Sequence, residues 1–126
     1  MNDNHAQTDR QVEKAMNRNS RKELERLRRI CSTMPECEER LSHGEPTFFV
    51  RKRVFAVFSN NHHDDGHVSV LVPTRPGMQE IFINEAPQTY YYPAYVGCRG
   101  WIGIELEHIR DESLAVHVRE AWDSTR

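Results

Sequence analysis

The sequence lacks any apolar run long enough to cross a membrane, and no hydrophobic segment follows the charged residues at its N-terminus. We therefore expect neither a transmembrane helix nor a signal peptide, and no membrane partner. Cysteine is also scarce. Cys31, Cys37 and Cys98 are odd in number and match neither a disulfide framework nor the spacing of a zinc finger. This usage predicts a cytoplasmic protein, because thiols stay reduced in that compartment.

A surplus of positive charge is missing as well. Lys and Arg total 17 against 19 Asp and Glu, which gives a formal net charge of −2. Proteins that coat nucleic acid without specificity draw their affinity from many neutralised phosphates. Any polyanion must therefore be bound by a local patch of basic residues and not by the protein surface as a whole.

Apolar side chains are sparse at the start of the chain, where residues 1–20 contain one Val, two Ala and two Met as their apolar groups. So few apolar groups do not offset the entropy lost on ordering a segment. Residues 1–19 are therefore predicted to form a disordered tail. Residues 20–126 are predicted to form a single domain, which is long enough to bury a core without disulfides.

Two segments have the apolar periodicity of amphipathic helices. Ser20 and Glu23 have the form of a capping box before the first helix, and Pro35 ends it. The arginines on its remaining surface are interpreted as a solvent-exposed face. Asp111 is the predicted N-cap of the second helix. The apolar stripes comprise Leu24, Leu27, Ile30, Cys31 and Met34 in the first helix, and Leu114, Val118, Ala121 and Trp122 in the second.

Between these helices, β-branched and aromatic residues form short runs separated by turn formers. Residues 47–50, 54–58, 67–72 and 101–106 are predicted strands, and residues 36–45 are predicted to be an acidic connector. The first three strands lack intervening helices, which favours an antiparallel meander. Residues 78–85 fit either a strand or a short helix. The predicted fold class is α+β, with two layers: an antiparallel sheet and helices packed on one of its faces.

Arg51, Lys52 and Arg53 form the one uninterrupted basic triplet of the sequence, and it falls between two predicted strands. The tip of a β-hairpin is well placed to reach a phosphate backbone. A solvated turn that keeps the hairpin soluble accounts for the same residues. The sequence leaves both interpretations open.

Aromatic rings and glycines are concentrated in residues 90–103. Tyr95 and Trp101 lie close to Arg99 along the chain, a combination that suits base stacking beside phosphate contacts. Tyrosines serve equally well at the rim of a small core, with the hydroxyl in water. The three glycines of this segment are expected to permit a β-bulge or a positive φ.

Metal-binding and catalytic patterns are weak. Residues 62–67 contain three histidines, but Asp65 and Gly66 between two strands are a stronger signal of a hairpin turn than of a metal loop. Cys98 has a cationic neighbour in Arg99, yet no pattern supplies it with a base and an orienting carboxylate. We therefore predict no metal, no cofactor and no enzymatic activity.

The order of these motifs is similar to that of the MmcQ/YjbR-like family over residues 20–126. The matching residues are Leu24, Arg28-Arg29, Cys31 and Met34-Pro35 of the first helix, Gly44-Glu45-Pro46-Thr47-Phe48, Lys52-Arg53-Val54-Phe55-Ala56, and Tyr92-Pro93-Ala94-Tyr95-Val96-Gly97 leading into Arg99-Gly100-Trp101-Ile102-Gly103. The resemblance implies a YjbR-like α+β domain with a convex antiparallel sheet, like type III secretion chaperones and double-wing nucleic-acid-binding domains. It also implies a helix at residues 78–85.

Members of that family are described as DNA-binding because of this structural likeness, so the resemblance implies DNA as a partner. The residues that match its basic and aromatic positions are Lys52, Arg53, Arg99 and Trp101. We predict a monomeric or weakly dimeric protein that binds DNA through its sheet and hairpin tips. Its site residues are predicted to be Arg51, Lys52 and Arg53 on phosphates, Arg99 on the backbone or a base edge, and Tyr95 and Trp101 for support or stacking. The alternative is a module that binds a protein partner or a small ligand on the same face.

Overall fold

The computed structural model describes residues 17–61 and 66–126 of the chain. The predicted tail of residues 1–19 lies mostly outside the described residues, as does Asp65 of the predicted turn. The elements of the described part are α1 (Arg18–Cys31), β1 (Cys37–Ser42), β2 (Glu45–Val50), β3 (Arg53–Asn60), β4 (Val68–Pro73), α2 (Met78–Glu85), β5 (Tyr90–Tyr91), β6 (Trp101–Glu105) and α3 (Asp111–Thr125). Two short 3₁₀ turns, Gly97–Arg99 and Leu106–His108, flank β6.

The strands form one open sheet in the order β1-β2-β3-β4-β6-β5, and every neighbouring pair is antiparallel. Strands that follow one another through short connections pair directly, as expected for hairpins. The chain then leaves the sheet through α2 and returns at its far edge as β5, before β6 inserts beside β4. The predicted two-layer α+β class and the helix at Met78–Glu85 are confirmed.

The core lies between the sheet and the helices α1 and α3, which pack against β3, β4 and each other. Phe58, Val70 and Ile104 are aligned across β3, β4 and β6, and all three are fully buried. We call this side of the sheet the inner face. Burial of each such side chain contributes about 1.5–3 kcal/mol. The residues that alternate in the strands and those that recur with the 3.6-residue period in the helices are therefore buried against each other in this core.

A β-bulge interrupts the alternation in β3. Phe48 pairs with Ala56 while Phe49 pairs with Val54, so Phe55 is the extra residue. Both Phe55 and Ala56 are fully buried, which strict alternation does not allow. As a consequence, the side chains of Val54 and Val57 point to the opposite side of the sheet, which we call the outer face.

The start of α1 differs from the prediction. Asn17 is the N-cap, and its Oδ1 accepts a hydrogen bond of 2.8 Å from the backbone N–H of Ser20. The predicted capping box is therefore wrong, although Asn is as good a cap as Ser. The Ser20 hydroxyl instead donates to Oδ1 of Asn60 at 2.8 Å, which ties the helix to β3.

One arginine on the predicted solvent-exposed face of α1 is largely enclosed by other residues. The side chain of Arg26 is 13% exposed, and its guanidinium donates to the carbonyls of Leu106 and Ile109. It also forms ion pairs with Glu23 and Asp111. Arg26 thus joins α1 to the turn that precedes α3, a role that periodicity alone did not indicate.

The acidic connector predicted at residues 36–45 is wrong, because Cys37–Ser42 forms the edge strand β1, paired with β2 along its whole length. Glu38, Glu39 and Arg40 in its middle are exposed. Charged residues are common on edge strands, where they discourage pairing with other chains. A strand of this kind has no apolar alternation from which it could be predicted.

The start of α3 is one residue away from its predicted place. Arg110 is the N-cap, and Asp111 is the first helical residue. The carboxylate of Asp111 accepts from Arg26, and this contact holds the pKa of Asp111 below its ordinary value. Asp111 therefore contributes through the ion pair and not through capping.

Candidate nucleic-acid interface

The outer face of the sheet carries a groove with a volume of about 1000 Å³. Its floor follows from the strand register, since Val57, Leu71, Gly103 and Tyr91 form one row across β3, β4, β6 and β5. The residues that line the groove are Ser42, His43, Glu45, Thr47, Arg53, Val54, Val57, Ser59, Leu71, Tyr91, Pro93, Ala94, Tyr95, Val96, Arg99, Trp101, Ser124 and Thr125, the last two from the C-terminal end of α3. The groove therefore combines an apolar floor with polar and basic walls.

The β2–β3 hairpin brings the basic triplet to one end of this groove. Arg51 and Lys52 form its two-residue turn with φ values of 50° and 68°, the left-handed conformation that matches the twist of a hairpin. Arg53 is the first residue of β3 and lines the groove. Nε of Arg51 lies 3.2 Å from the carboxylate of Glu36, so part of the positive charge at the turn is already compensated.

The other wall is the loop of residues 92–101. The backbone N–H groups of Arg99 and Trp101 both donate to the carbonyl of Val96, at 3.0 and 3.2 Å. These bonds close a compact turn before β6 begins. Gly100, which ends the turn, has a φ of 87° and therefore meets the predicted need for a positive φ.

Gln79 of α2 holds this loop from behind. Its side-chain amide donates to the carbonyls of Gly97 and Trp101, at 2.8 and 2.6 Å. Two donors on one short side chain fix both ends of the segment that carries Arg99. The sequence offered no signal for this role, because a glutamine on a short helix is most often an ordinary surface residue.

Tyr95 is the most exposed of the large apolar side chains in the described residues, with 78% of its surface accessible. Its backbone has a φ of 66°. The left-handed region costs a bulky residue on the order of 1–3 kcal/mol, and such strain clusters at functional sites. Tyr95 is therefore held by the loop in a conformation that presents its ring to the solvent beside the groove.

The groove contains both signs of charge but has two basic residues free of ion pairing. Among the described residues, neither Arg53 nor Arg99 lies within salt-bridge distance of a carboxylate. Glu45 is the carboxylate that lines the groove, and His43 stands near it in the β1–β2 turn. Arg53 and Arg99 are thus two cations of the groove lining whose charge is not already paired within the described residues.

Four of the six predicted site residues come together in this one groove: Arg53, Tyr95, Arg99 and Trp101. Arg51 and Lys52 occupy the turn that adjoins Arg53. The apolar floor was not predicted. The sequence placed Val54, Val57 and Leu71 in strands but did not indicate to which face of the sheet each side chain points. The register and the bulge in β3 decide that they point away from the core.

A second polar cluster lies on the outer face. The rings of His67 and Tyr91 stack with centroids 3.7 Å apart, Nδ1 of His67 lies 2.5 Å from the carboxylate of Glu105, and the Tyr91 hydroxyl is 2.6 Å from that of Ser69. Each of these groups already has a partner. The cluster therefore fixes Tyr91 at the end of the groove floor.

Other potential sites are not assembled in the described residues. Within residues 17–61 and 66–126, no group of three or more His, Cys, Asp or Glu side chains is arranged to hold a metal ion, and His62 and His63 lie outside that part. Burial raises the pKa of the Cys31 and Cys37 thiols, which disfavours the reactive thiolate. The Cys98 thiol is exposed and donates to the carbonyl of Tyr95 at 3.2 Å. None of the helices in the described part of the chain combines the length and the apolar character that crossing a bilayer requires.

An open antiparallel sheet, covered by helices on one face and grooved on the other, defines a two-layer α+β domain. The chain belongs to the YjbR family, whose model matches residues 32–124. Its fold is similar to that in the crystal structure of Deinococcus radiodurans protein DR2400, which carries the family domain DUF419. The two share 18% sequence identity with a TM-score of 0.64, over 76% of this chain and 72% of that one. No curated protein matches the chain.

Proposed function

We propose that this protein binds nucleic acid, with DNA as the first candidate, through the groove on the outer face of its sheet. It catalyses no reaction on the bound strand and works in the cytoplasm as a monomer or weak dimer. The observation that carries this proposal is the convergence of Arg53, Arg99, Tyr95 and Trp101 on one groove, with Arg51 and Lys52 at the adjoining turn. Basic and aromatic side chains around a single recess are what phosphate contacts and base contacts require together.

The mechanism of binding divides between the two walls. Arg53 on β3 and Arg99 on the loop contact phosphates from opposite sides, and Lys52 extends the contact beyond the turn. Arg51 joins them only when a phosphate displaces Glu36 from its guanidinium. Arg75 is exposed two residues beyond the end of β4 and adds a fifth cation. Its neighbour Thr74 is hydrogen-bonded to the carbonyl of Gly100, which keeps Arg75 close to the loop that carries Arg99. A local basic patch is compatible with the net charge of −2. Acidic residues lie on the helices of the other face, where they pair with Arg26 and Arg28.

Titration with a short mixed-sequence DNA, offered as a duplex and as one of its strands, tests the proposal. Amide NMR shifts are expected for residues 51–54 and 95–101, and they weaken with salt. Five neutralised phosphates give a slope of about −4 in log K against log salt concentration. If neither the duplex nor the single strand shifts any amide signal at low salt, nucleic acid is ruled out as the ligand.

Charge reversal supplies the matched control. Arg53→Glu together with Arg99→Glu is expected to lower the affinity at least about tenfold, because two cations become anions at the phosphates. Arg29→Glu together with Arg119→Glu makes the same change of net charge on the exposed sides of α1 and α3, and neither residue lines the groove. This variant is expected to bind within about twofold of the unmodified protein. Equal losses in both variants would show a non-specific charge effect.

The apolar floor of the groove favours a second candidate, a small ligand or a peptide with an apolar body. Val54, Val57, Leu71, Pro93 and Val96 all line the groove, and pockets for small molecules are mostly apolar with a few polar groups. Binding of that kind is only weakly dependent on salt. A ligand that binds the groove with a salt slope near zero, while DNA does not bind, would support this candidate in place of nucleic acid.

A further inference from the structure

We infer that Gln79 of α2 is a positioning residue for the groove, because its side-chain amide holds the loop of residues 97–101 in the place from which Arg99 contacts a phosphate. Gln79 does not itself line the groove, so it acts on a bound ligand only through the loop. This role rests on the proposed function and deepens it, since it identifies a residue outside the groove that sets the affinity of the groove for nucleic acid.

The backbone of Trp101 points toward the side of β6 on which β5 lies. On that side the N–H of Glu105 donates to the carbonyl of Thr89, just before β5, at 2.7 Å. The N–H and C=O groups of one strand residue point to the same side, and every second residue repeats this direction. Trp101 lies four residues before Glu105, so its carbonyl faces the β5 side as well.

The residue that stands opposite this carbonyl is a proline. Tyr91 of β5 pairs with Gly103, and continuing this register by two residues places Pro93 opposite Trp101. Proline has no backbone N–H to donate. The sheet therefore supplies no N–H to the Trp101 carbonyl from this position. The side-chain nitrogen Nε2 of Gln79 donates to it instead, at 2.6 Å.

The amide nitrogen of Gln79 uses both of its N–H donors. One bonds to Trp101, and the other donates to the carbonyl of Gly97 at 2.8 Å. The Gly97 carbonyl also accepts from the N–H of Gly100 at 3.0 Å, so the bond to Trp101 is the harder one to replace. An ionised carboxylate or an apolar side chain in place of Gln79 has no donor at all. The arrangement therefore requires an amide and not merely a polar side chain.

Arg99 lies in the middle of the segment whose two ends Gln79 holds. It is exposed, and within the described residues no carboxylate pairs with it, so its position depends on the backbone that carries it. The helix α2 is anchored in turn by Phe82, whose ring packs against those of Tyr90 and His117. A cation that is held in place before binding loses less conformational freedom when it contacts a phosphate. Gln79 therefore raises the affinity by fixing Arg99 in advance.

The test compares two variants of α2, using whichever form of a mixed-sequence DNA, duplex or single strand, binds the unmodified protein more tightly. Gln79→Met keeps the length of the side chain and removes both donors. It is expected to lower the affinity about threefold to tenfold. The slope of log K against log salt should fall in magnitude by about 0.9 for a duplex or 0.7 for a strand, because one cation no longer engages a phosphate. Asn84→Leu removes an amide from an exposed position of the same helix and should change neither quantity.

The salt slope separates positioning from folding. A variant that is merely less stable has a smaller folded fraction, which lowers the apparent affinity and leaves the slope unchanged. An unchanged slope for Gln79→Met, or an equal loss of affinity in Asn84→Leu, overturns the inference. A double-mutant cycle adds a second criterion. In an Arg99→Ala background, Gln79→Met is expected to change the affinity less than about twofold, and additive losses would contradict a role that acts through Arg99.

Hydrogen exchange of the free protein examines the loop without a ligand. The N–H groups of Gly100 and Trp101 close the loop on Gly97 and Val96, and in Gln79→Met they are expected to exchange at least about tenfold faster. The amide of Ile104 in the core should keep its rate. Equal acceleration of all three amides, or of none, overturns the positioning role. If the unmodified protein binds neither form of DNA at low salt, the proposed function fails, while the exchange rates still decide whether Gln79 fixes the loop.

Discussion

Gly103 lies directly opposite Tyr91 in the antiparallel pair of β5 and β6, and the tyrosine ring covers the space above it. A Cβ added at Gly103 would stand 2.3 Å from Cε1 of Tyr91. Gly97 has the same relation to Tyr92, at 2.4 Å. The predicted bulge or positive φ is therefore not the function of these two glycines. Both permit the close approach of an aromatic ring. At Gly103 this contact is of the kind in which an aromatic residue covers a glycine on the neighbouring strand.

The two positions differ in how well the ring is able to move aside. Tyr91 is held by the stacked ring of His67 and by the Ser69 hydroxyl, whereas Tyr92 is 58% exposed. We expect Gly103→Ala to reduce the free energy of unfolding by about 1–3 kcal/mol, as overpacking does, and Gly97→Ala by less than about 1 kcal/mol. Urea denaturation of both variants measures the difference. Equal losses would show that the two rings are equally free.

Arg26 is a residue whose role depends on burial and not on its type. Its guanidinium satisfies the carbonyl oxygen of Leu106 at 2.6 Å and that of Ile109, and its ion-pair partner Glu23 has a side chain only 8% exposed. Removal of one member of a buried charged network leaves the others without compensation.

We therefore expect Arg26→Met to lower the free energy of unfolding by about 3 kcal/mol, because it leaves two carbonyls and a buried carboxylate unsatisfied. Arg29→Met is the control, since Arg29 is exposed on the same helix, and its effect should stay within about 0.5 kcal/mol. Chemical denaturation with an unchanged m-value checks both. A loss below 1 kcal/mol for Arg26→Met would mean that water replaces the guanidinium at the turn.

At the scale of elements, α2, α3 and β5 meet in one aromatic contact. Nε2 of His117 on α3 lies 2.8 Å from the hydroxyl of Tyr90 on β5, and Phe82 of α2 packs against both rings. Burial lowers the pKa of His117, and the nearby Glu120 opposes this effect. Burial and Glu85 also raise the pKa of Tyr90, which keeps its hydroxyl protonated. Neutral His117 is therefore the form that fits this junction.

The consequence is a dependence of stability on pH. Because the folded pKa of His117 lies below its ordinary value of 6.5, the unfolded chain binds a proton first as the pH falls. The contribution of His117 is present in full above pH 6.5 and decreases as the pH falls toward the folded pKa. We expect the difference in unfolding free energy between the unmodified protein and His117→Gln to shrink from pH 7.5 to pH 5. A difference that stays constant over this range would contradict a buried neutral imidazole.

The elements also show where sequence patterns are informative. The strands β2, β3, β4 and β6 and the helix α3 were predicted because each buries one face or stripe, and burial imposes a periodicity on the sequence. The edge strand β1 imposes none, since Glu38, Glu39 and Arg40 are in water. Its pairing with β2 is determined by backbone hydrogen bonds, which every residue type except proline makes alike. Edge strands of this type are found only when the partner strand is known.

At the scale of the whole molecule, the first helix of the described residues is capped by Asn17 and does not begin at Ser20. The Asn17 side chain caps α1, and Ser20 lies inside the helix, where its hydroxyl bonds to Asn60. Residues 1–16 lie outside the described part of the chain, and the prediction that they form a tail remains a prediction.

Two truncations test the boundary. A chain that starts at Asn17 is expected to unfold with the same free energy as the full chain, within about 0.5 kcal/mol. A chain that starts at Ser20 loses the cap and the first helical residues, and is expected to be less stable by about 1 kcal/mol. Thermal and urea denaturation of the three chains give the comparison. A large loss on removal of residues 1–16 alone would show that they are not a tail.

The sequence by itself determined the fold class, because the periodicity of apolar residues reports which face of each element is buried. It also singled out the basic and aromatic residues 51–53 and 95–101, because their chemical types are close together in the chain, and four of these residues line one groove. The tertiary structure decided which residues that are far apart in the sequence come together. The fold brings Arg53 and Arg99 into the lining of one groove, Gln79 fixes the loop from α2, and Arg26 is largely enclosed by its hydrogen bonds to the turn before α3. These features arise from contacts between segments far apart in the chain, and no local pattern encodes such contacts.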